Sequence, residues 1–194
     1  MTELENCLEA GKESTGRSVS GAGLTYDHLA QAETRRRYDT YLELRAAALA
    51  ASPSEIGLPL DQPNHEPYGI LMEIGLRQGI ATLACFSSGR ADLYTSAGGG
   101  LSGGKSNEVI NQASQRFVKV GRDFALGAED PGAFPLPRYG EVKFYLLGKE
   151  RAGKLDASLN ELNGRRSALC PLYDAGRRVL NELLSLSDPE YRPE

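Results

Sequence analysis

The spacing of apolar residues along the chain separates a helical N-terminal segment from an extended central one. In the stretch 26–51, apolar residues recur at steps of three and four and an alanine run follows, which predicts a helix. Two later runs are short and mostly apolar, and a third alternates between apolar and polar residues, which predicts three strands. These runs are YGILMEIGL at 68–76, IATLACFSS at 80–88 and ADLYTSA at 91–97.

The links between the three strands indicate how the strands run. RQG at 77–79 joins the first strand to the second, and SGR at 88–90 joins the second to the third. Loops this short that contain glycine close hairpins, whereas parallel neighbours need a crossover of about a dozen residues or more. The sequence therefore predicts an antiparallel meander over 68–97.

The second half of the chain predicts two more helices and one clear strand. Segments 106–126 and 167–186 carry apolar stripes at helical spacing, and Ser106 or Asn107 suits the cap of the first. EVKFYLL at 141–147 alternates as a strand does, while the region 154–159 fits either a further strand or a loop. The stripe of the first of these helices consists of Val109, Ile110, Ala113, Phe117, Val120 and Phe124.

These elements follow the order α-β-β-β-α-β-(β)-α. An antiparallel sheet of about four to five strands with helices packed against it is a two-layer α+β domain, which is the predicted fold class. We expect one domain over 25–187, with polar, flexible tails at 1–24 and 188–194. The parts of the domain are the helix 26–51, a proline-rich connector at 52–67, and the sheet and helices of 68–187.

Composition and charge narrow the class of protein. The 194 residues are 40% hydrophobic and 25% charged with a formal net charge of −4, as in ordinary globular domains. The longest basic block is RRR at 35–37, so we expect no nucleic-acid surface. We expect no membrane span or signal peptide either, and therefore a cytoplasmic protein. The widely spaced Cys7, Cys85 and Cys170 give neither a disulfide framework nor a metal-binding pair.

The most distinctive motif is the glycine-rich stretch TSAGGGLSGGKSNEV at 95–109. From Gly99 it satisfies G-x-x-x-x-G-K-[ST], the pattern of a P-loop. A P-loop joins a buried parallel strand to a helix, and a second strand delivers an aspartate to the bound metal. Here the preceding strand ends an antiparallel meander, and no apolar run that ends in aspartate follows. The sequence therefore argues against nucleotide hydrolysis at this loop.

Two interpretations of the glycine-rich stretch remain open. In the first, it is a turn from strand to helix in which glycines supply positive φ angles and room for close backbone approach. In the second, glycines before a helix N-terminus, with a lysine beside them, hold an anion such as a phosphate group. The residues that would bind this anion are Gly99, Gly103, Gly104, Lys105 and Ser106.

The other chemically capable residues form no catalytic motif. His65 lies in a loop without metal-ligand spacing, and Cys85 lies inside an apolar strand, where a cysteine is a small buried residue. Cys170 is near a helix start with no histidine close in sequence. Glu73 interrupts an apolar strand, so it either faces the open side of the sheet or pairs with an arginine. We predict no catalytic residue, no metal and no cofactor.

The order of elements over 68–186 resembles the roadblock and profilin-like group, whose small antiparallel sheets carry a helix after the first strands and another at the C-terminus. The stretch GILMEIGL…IATLACFSSGRADLYTSAGGGLSGG is similar to a bacterial family in which a strand leads into LY-[FT]-S-x-G-G-G, a glycine-containing turn and a helix. This resemblance implies a bacterial protein but supplies no activity, since the family has no assigned function. A lysine at position 105 is not a fixed feature of that family's pattern.

The sequence favours a non-enzymatic domain for protein interaction or scaffolding, a self-associating component of a bacterial cytosolic assembly. The alternative is a nucleotide- or phosphate-binding protein that uses the loop 98–106 at a helix N-terminus. The missing catalytic motifs favour the first function without settling whether the protein is an enzyme. The edge strand of a small antiparallel sheet suits the addition of a partner strand. The expected partner is a protein, which includes a second copy of this chain.

Overall fold

The computed structural model of the protein describes residues 23–58, 66–104 and 107–187. Their centre is a six-stranded sheet in which every pair of neighbouring strands is antiparallel. The α+β class and the antiparallel meander are therefore confirmed, with slightly more strands than predicted. The strands are β1 (Gly69–Leu76), β2 (Gly79–Phe86), β3 (Ala91–Thr95), β4 (Gly100–Gly103), β5 (Glu141–Leu147) and β6 (Ala152–Ser158), in the spatial order β4-β3-β2-β1-β5-β6.

The described residues form four α-helices, of which three correspond to predicted ones. The helix predicted at 106–126 is shorter, because beyond Arg122 the chain tightens into a 3-10 turn at Ala125–Gly127. The region 154–159, for which the sequence allowed a strand or a loop, lies largely in the strand β6. A short helix that was not predicted follows this strand. The helices are α1 (Gly23–Ala50), α2 (Glu108–Arg122), α3 (Leu159–Asn163) and α4 (Cys170–Ser187).

One face of the sheet carries the larger hydrophobic core. Alternate strand residues point to this face, where the apolar stripes of α2 and α4 cover them.

The side chain of Asn107 caps α2, because its Oδ1 accepts hydrogen bonds from the amides of Val109 at 3.0 Å and Ile110 at 3.2 Å. The placement of Val109 in the buried stripe was wrong. The buried face of α2 begins at Ile110, and Val109 beside it is 56% exposed.

The opposite face of the sheet is covered by α1, which adds a helical layer to the two that the sequence predicted. Its smaller core includes Tyr41 and Ala48 of α1. A row of polar residues crosses the strands on this face in direct register. The row consists of Tyr94, Thr82, Glu73, Lys143 and Asp156. The long N-terminal helix therefore lies on a partly polar surface and not only on an apolar core.

The glycine-rich stretch does not form one continuous turn, so the interpretation as a simple strand-to-helix turn was wrong in this respect. Gly98 and Gly99 have φ angles of +102° and +86° and form the tight turn between β3 and β4. Gly104, with φ +106°, follows β4, and a Cβ atom there would lie only 2.1 Å from the carbonyl oxygen of Gly89. The residues between these two glycine turns pair with β3 as a fourth strand.

Some predictions fall on residues outside the described ranges. They are the tails at 188–194 and at 1–24, apart from the first two residues of α1, and most of the second half of the connector 52–67, which includes His65.

Candidate functional site

β4 forms one edge of the sheet, and its backbone is available for pairing on the side away from β3. The Thr95 amide donates to the Gly99 carbonyl oxygen at 3.2 Å, so these residues form a hydrogen-bonded pair. Because hydrogen-bonded and non-bonded pairs alternate along antiparallel strands, the backbone groups that point away from β3 belong to Gly100 and Ser102. Both residues are exposed, and within 23–58, 66–104 and 107–187 no strand pairs with that side.

The opposite edge of the sheet, β6, is closed at its centre. The Glu129 amide donates to the Lys154 carbonyl oxygen at 3.0 Å, and the Lys154 amide donates to the Glu129 carbonyl oxygen at 2.7 Å. Lys154 and Asp156 also place opposite charges along β6, with 3.2 Å between Nζ and Oδ2. Charged side chains on an edge strand discourage pairing with another strand. β4, with the sequence GLSG, has no charged residue, so the two edges differ in their readiness to pair.

A cleft of about 410 Å³ lies beside β4, between α1 and the β3–β4 hairpin. We call it the α1–β4 cleft. Its helical wall is a single stripe of α1 at spacings of three and four residues, and its other wall is the hairpin. The residues that line it are Glu33, Arg36, Arg37, Thr40, Tyr41 and Leu44 of α1, together with Tyr94, Thr95, Gly98, Gly99 and Gly100.

Contacts along α1 show the order in which the helix crosses the strands of the sheet. Towards its N-terminus, α1 meets first β1, then β2, and then the β3–β4 hairpin. Side chains 28–36 precede the last of these contacts and are exposed. The contacts are Arg45 with Glu73 of β1, Tyr41 with Thr82 of β2, and Arg37, whose Cδ lies 2.9 Å from where a Cβ of Gly98 would stand.

The α1–β4 cleft is lined by the positive charge of Arg36 beside an ion pair. Arg37 pairs with Glu33 one turn earlier, with 2.5 Å between Nη2 and Oε1. Arg36 is exposed and forms no ion pair within the described part of the chain. An arginine beside an apolar cleft can bind a carboxylate through two parallel hydrogen bonds. The wall that α1 contributes is thus suited to an acidic side chain.

A second polar cluster fixes the side chain of Ser102 to the sheet. The buried carboxylate of Asp92 accepts hydrogen bonds from Arg90 Nε at 2.6 Å and from the Ser102 hydroxyl. Burial, together with the negative charge of Asp92, raises the pKa of the Tyr94 hydroxyl, which therefore stays protonated. The Ser102 hydroxyl is therefore hydrogen-bonded on the face of the sheet that α1 covers. The backbone amide and carbonyl groups of Ser102 point away from β3, along the open edge.

The structure separates the residues predicted to bind an anion. Gly99 lies in the β3–β4 turn and lines the α1–β4 cleft, whereas Gly103 lies at the other end of β4, followed by Gly104. Gly103 lines a different cavity of about 670 Å³, near Ser88 and Arg90. Lys105 and Ser106 lie outside the described residues, so the anion site stays a prediction. The strand β4 stands between the two halves of the sequence motif.

The other residues that the sequence singled out for their chemistry, Cys85, Cys170 and Glu73, are all buried. Cys85 is fully buried, and burial raises the pKa of its thiol, as expected for an unreactive core cysteine. Cys170 is buried as well, and its thiol lies 3.7 Å from the Leu162 carbonyl oxygen. Of the two alternatives for Glu73, the pairing with an arginine is confirmed. The described residues contain no group of three or more His, Cys, Asp or Glu side chains placed to bind a metal.

The sequence did not indicate the α1–β4 cleft. Arg36 was part of a basic block, and the apolar spacing along 26–51 predicted a helix without showing which strands that helix would meet. No helix in the described ranges has the length and apolar character that crossing a bilayer requires. Comparison of the chain with protein-family models, with curated proteins and with solved structures gave no match.

Proposed function

We propose that this protein is an interaction domain that binds an extended segment of a partner protein along the open edge of β4. The backbone groups of Gly100 and Ser102 would continue the hydrogen-bonded ladder, and the α1–β4 cleft would receive side chains of the segment. A second copy of the chain belongs to the class of partners that can pair in this way. The missing catalytic motifs of the sequence support a non-enzymatic role, and the role that we propose is within a cytoplasmic assembly.

The single observation that carries this proposal is the contrast between the two edges. β6 has a backbone bridge to Glu129 and charged side chains, which are devices that prevent strand addition. β4 has no charged residue, and among the described residues only β3 pairs with its backbone, although exposed edges are an aggregation hazard that proteins usually cover. An edge left open beside a preformed cleft supports a binding role.

The test is a selection of random twelve-residue peptides from a displayed library on the full chain, followed by affinity measurements on two variants. Ser102→Pro removes the outward amide but leaves the ladder to β3, because that amide does not face β3. Ser102→Ala is the matched control, since it keeps the amide and removes only the hydroxyl bond to Asp92. Circular dichroism would show whether both variants keep the fold.

We expect selected peptides to bind the wild type and Ser102→Ala with similar affinity. They should bind Ser102→Pro at least about tenfold more weakly, because this variant loses one main-chain hydrogen bond and its proline ring hinders pairing. Amide exchange at Gly100 and Ser102 should slow when a peptide binds. Peptides that bind all three proteins equally, or a selection that yields no binder, would rule out the edge as the binding surface.

A further inference from the structure

We propose that the partner segment bound at the β4 edge runs antiparallel to β4 and contains a basic, an apolar and an acidic residue in that order. The inference rests on the proposed function, because it names the chemistry of the segment that the same edge receives. In this alignment the three residues lie opposite Ser102, Leu101 and Gly100 of β4. The reason is a difference in charge between the two ends of β4, with an apolar surface between them.

The backbone of β4 determines which face of the sheet each residue of the segment meets. An antiparallel strand would exchange hydrogen bonds with the outward amide and carbonyl groups of Gly100 and Ser102. Residues that lie directly opposite each other in a sheet share a face. The first and third side chains of the segment would therefore lie on the face that α1 covers, as the Ser102 side chain does. The middle side chain would lie beside Leu101, on the face that α2 and α4 cover.

The end of β4 at Ser102 borders a cavity with a negative charge. This cavity, of about 670 Å³, is also lined by Glu55 and Arg90, and we call it the Glu55 cavity. Arg90 is already paired with Asp92, with 2.6 Å between Nε and Oδ2. Among the described residues that line the cavity, the Glu55 carboxylate therefore supplies the charge that is left for a ligand. This charge suits the basic side chain opposite Ser102.

The Glu55 cavity also offers oxygen atoms to a basic side chain. The Ser52 amide and hydroxyl donate to Glu55 Oε2 at 2.7 Å and 2.8 Å, and these bonds lower the pKa of the Glu55 carboxyl, which stays ionised. Ser88 lines the same cavity, and its buried hydroxyl oxygen has no hydrogen-bond partner in the described part of the chain. A lysine or arginine in the cavity would supply the donor that this oxygen lacks.

The end of β4 at Gly100 borders the α1–β4 cleft, where the charge has the opposite sign. Arg37 and Glu33 neutralise each other, and Arg36 forms no ion pair with the described residues. The acidic side chain opposite Gly100 would meet the Arg36 guanidinium, which can bind a carboxylate through two parallel hydrogen bonds. A segment with the reverse order would place like charges together at both ends of β4. The two ends therefore select the direction of the segment as well as its composition.

The face that α2 and α4 cover is apolar beside β4. Leu101 packs against the larger core there, and a Cβ atom at Gly103 would come within 2.9 Å of the Leu183 side chain of α4. Near them, Val109 is 56% exposed and Leu186, one turn beyond Leu183, is 48% exposed. An apolar middle residue of the segment would bury part of this surface.

The test measures the affinity of the full chain for three synthetic peptides of equal length in one threonine-rich host sequence. Their central residues are Lys-Val-Glu, Glu-Val-Lys and Gln-Val-Gln, and fluorescence anisotropy gives each dissociation constant. We expect the Lys-Val-Glu peptide to bind at least about tenfold more tightly than the Glu-Val-Lys peptide, which corresponds to 1.4 kcal/mol. The uncharged peptide should fall between them. Equal affinities, tighter binding of the Glu-Val-Lys peptide, or no binding of the Lys-Val-Glu peptide would overturn the inference.

A charge exchange in the protein provides a readout that a merely structural effect would not produce. The double variant Arg36→Glu/Glu55→Lys should prefer the Glu-Val-Lys peptide, whereas damage to the fold would weaken both charged peptides alike. Arg35→Glu is the matched control, because Arg35 lines neither the α1–β4 cleft nor the Glu55 cavity, and it should leave the preference unchanged.

Milder variants keep the inference falsifiable if the double variant does not fold. Arg36→Gln and Glu55→Gln each remove one charge, and Glu55→Gln keeps an oxygen that can accept from Ser52. Each should reduce the preference for the Lys-Val-Glu peptide severalfold, and a preference that neither variant reduces contradicts the inference.

The peptide library of the preceding test separates this inference from the proposed function. If selected peptides lose affinity for Ser102→Pro while the Lys-Val-Glu and Glu-Val-Lys peptides bind equally, the proposed function stands and this inference fails. If the Lys-Val-Glu peptide binds Ser102→Pro as tightly as the wild type, the segment does not pair with β4 and both proposals fail.

Discussion

The Arg45 guanidinium donates two hydrogen bonds to the Glu73 carboxylate, from Nε to Oε1 at 2.6 Å and from Nη2 to Oε2 at 2.9 Å. Burial disfavours the charged guanidinium, yet the hydrogen bonds to Glu73 and the negative charge of Glu73, with contributions from Tyr41 and Tyr145, together outweigh it and raise the pKa of Arg45. The Thr82 hydroxyl donates to the same carboxylate at 3.3 Å, and Arg45 also donates to the Phe134 carbonyl oxygen at 2.9 Å. This pair ties α1 to the central strand and so fixes the wall of the α1–β4 cleft.

The first prediction concerns the two halves of this ion pair. Arg45→Met leaves the Glu73 carboxylate fully buried without its counter-charge, and we expect it to lower the free energy of unfolding by about 3–5 kcal/mol. The double variant Arg45→Met/Glu73→Leu removes both charges, so its stability should return to within about 1 kcal/mol of the wild type. Urea denaturation followed by circular dichroism measures both values. A double variant as unstable as the single one would show that the pair itself, and not the orphaned charge, carries the stability.

Sequence patterns located most of the sheet, because the strands they found differ from their surroundings in period and composition. β1, β2, β3 and β5 are apolar or alternating runs, and short glycine-containing links join β1 to β2 and β2 to β3. The pairing of Glu73 was also among the expected alternatives, since a single acidic residue within a buried strand needs a partner. These features depend on residues close together in sequence.

The α1–β4 cleft and the edge strand β4 could not be predicted in this way, because neither leaves a pattern among residues close together in sequence. β4 reads GLSG, in which two of four residues lack side chains and no period is visible, so its pairing with β3 is set by the hairpin and not by apolar alternation. The α1–β4 cleft depends on which side of α1 faces the sheet. Long-range polar contacts from Tyr41 and Arg45 decide that orientation.

A second prediction tests the close approach of the loop before β5 to β1. A Cβ atom on Gly75 would lie 1.8 Å from the Arg138 carbonyl oxygen, and the Gly140 amide donates to the Gly75 carbonyl oxygen at 2.9 Å. We expect Gly75→Ala to lower the free energy of unfolding by about 1–3 kcal/mol or more, because backbone must move to admit the methyl group. The matched control is Gly127→Ala, where nothing lies within 4 Å of the added atom. Thermal unfolding that shifts equally in both variants would contradict the packing.

A third prediction concerns the reactivity of Cys85. Burial raises the pKa of its thiol, so little thiolate exists at pH 8, and the sulfur has no access to solvent. We expect iodoacetamide to label Cys85 only after unfolding in guanidinium chloride. In the variant Thr40→Cys, the thiol on the exposed helix surface should react under native conditions and serves as the positive control. Fast native labelling of Cys85, located by mass spectrometry, would mean that the core opens readily.

The last prediction addresses the phosphate alternative for the loop 98–106. A triphosphate cradle requires consecutive backbone amides that point to one centre at the start of a helix. Here β4 intervenes, so that Gly99 lies in the hairpin turn while Gly103 and Gly104 lie at the other end of the strand. We therefore expect millimolar ATP-Mg²⁺ or GTP-Mg²⁺ to leave the melting temperature unchanged.

A ligand at a hundred times its dissociation constant would add about 2.7 kcal/mol to the free energy of unfolding, which a thermal melt detects easily. If the nucleotides do stabilise the protein, Lys105→Ala separates the explanations. Loss of the stabilisation in that variant would establish an anion site at the loop despite the intervening strand. Stabilisation that persists in Lys105→Ala would place the nucleotide elsewhere, and the α1–β4 cleft with Arg36 would be the next surface to test by the substitution Arg36→Ala.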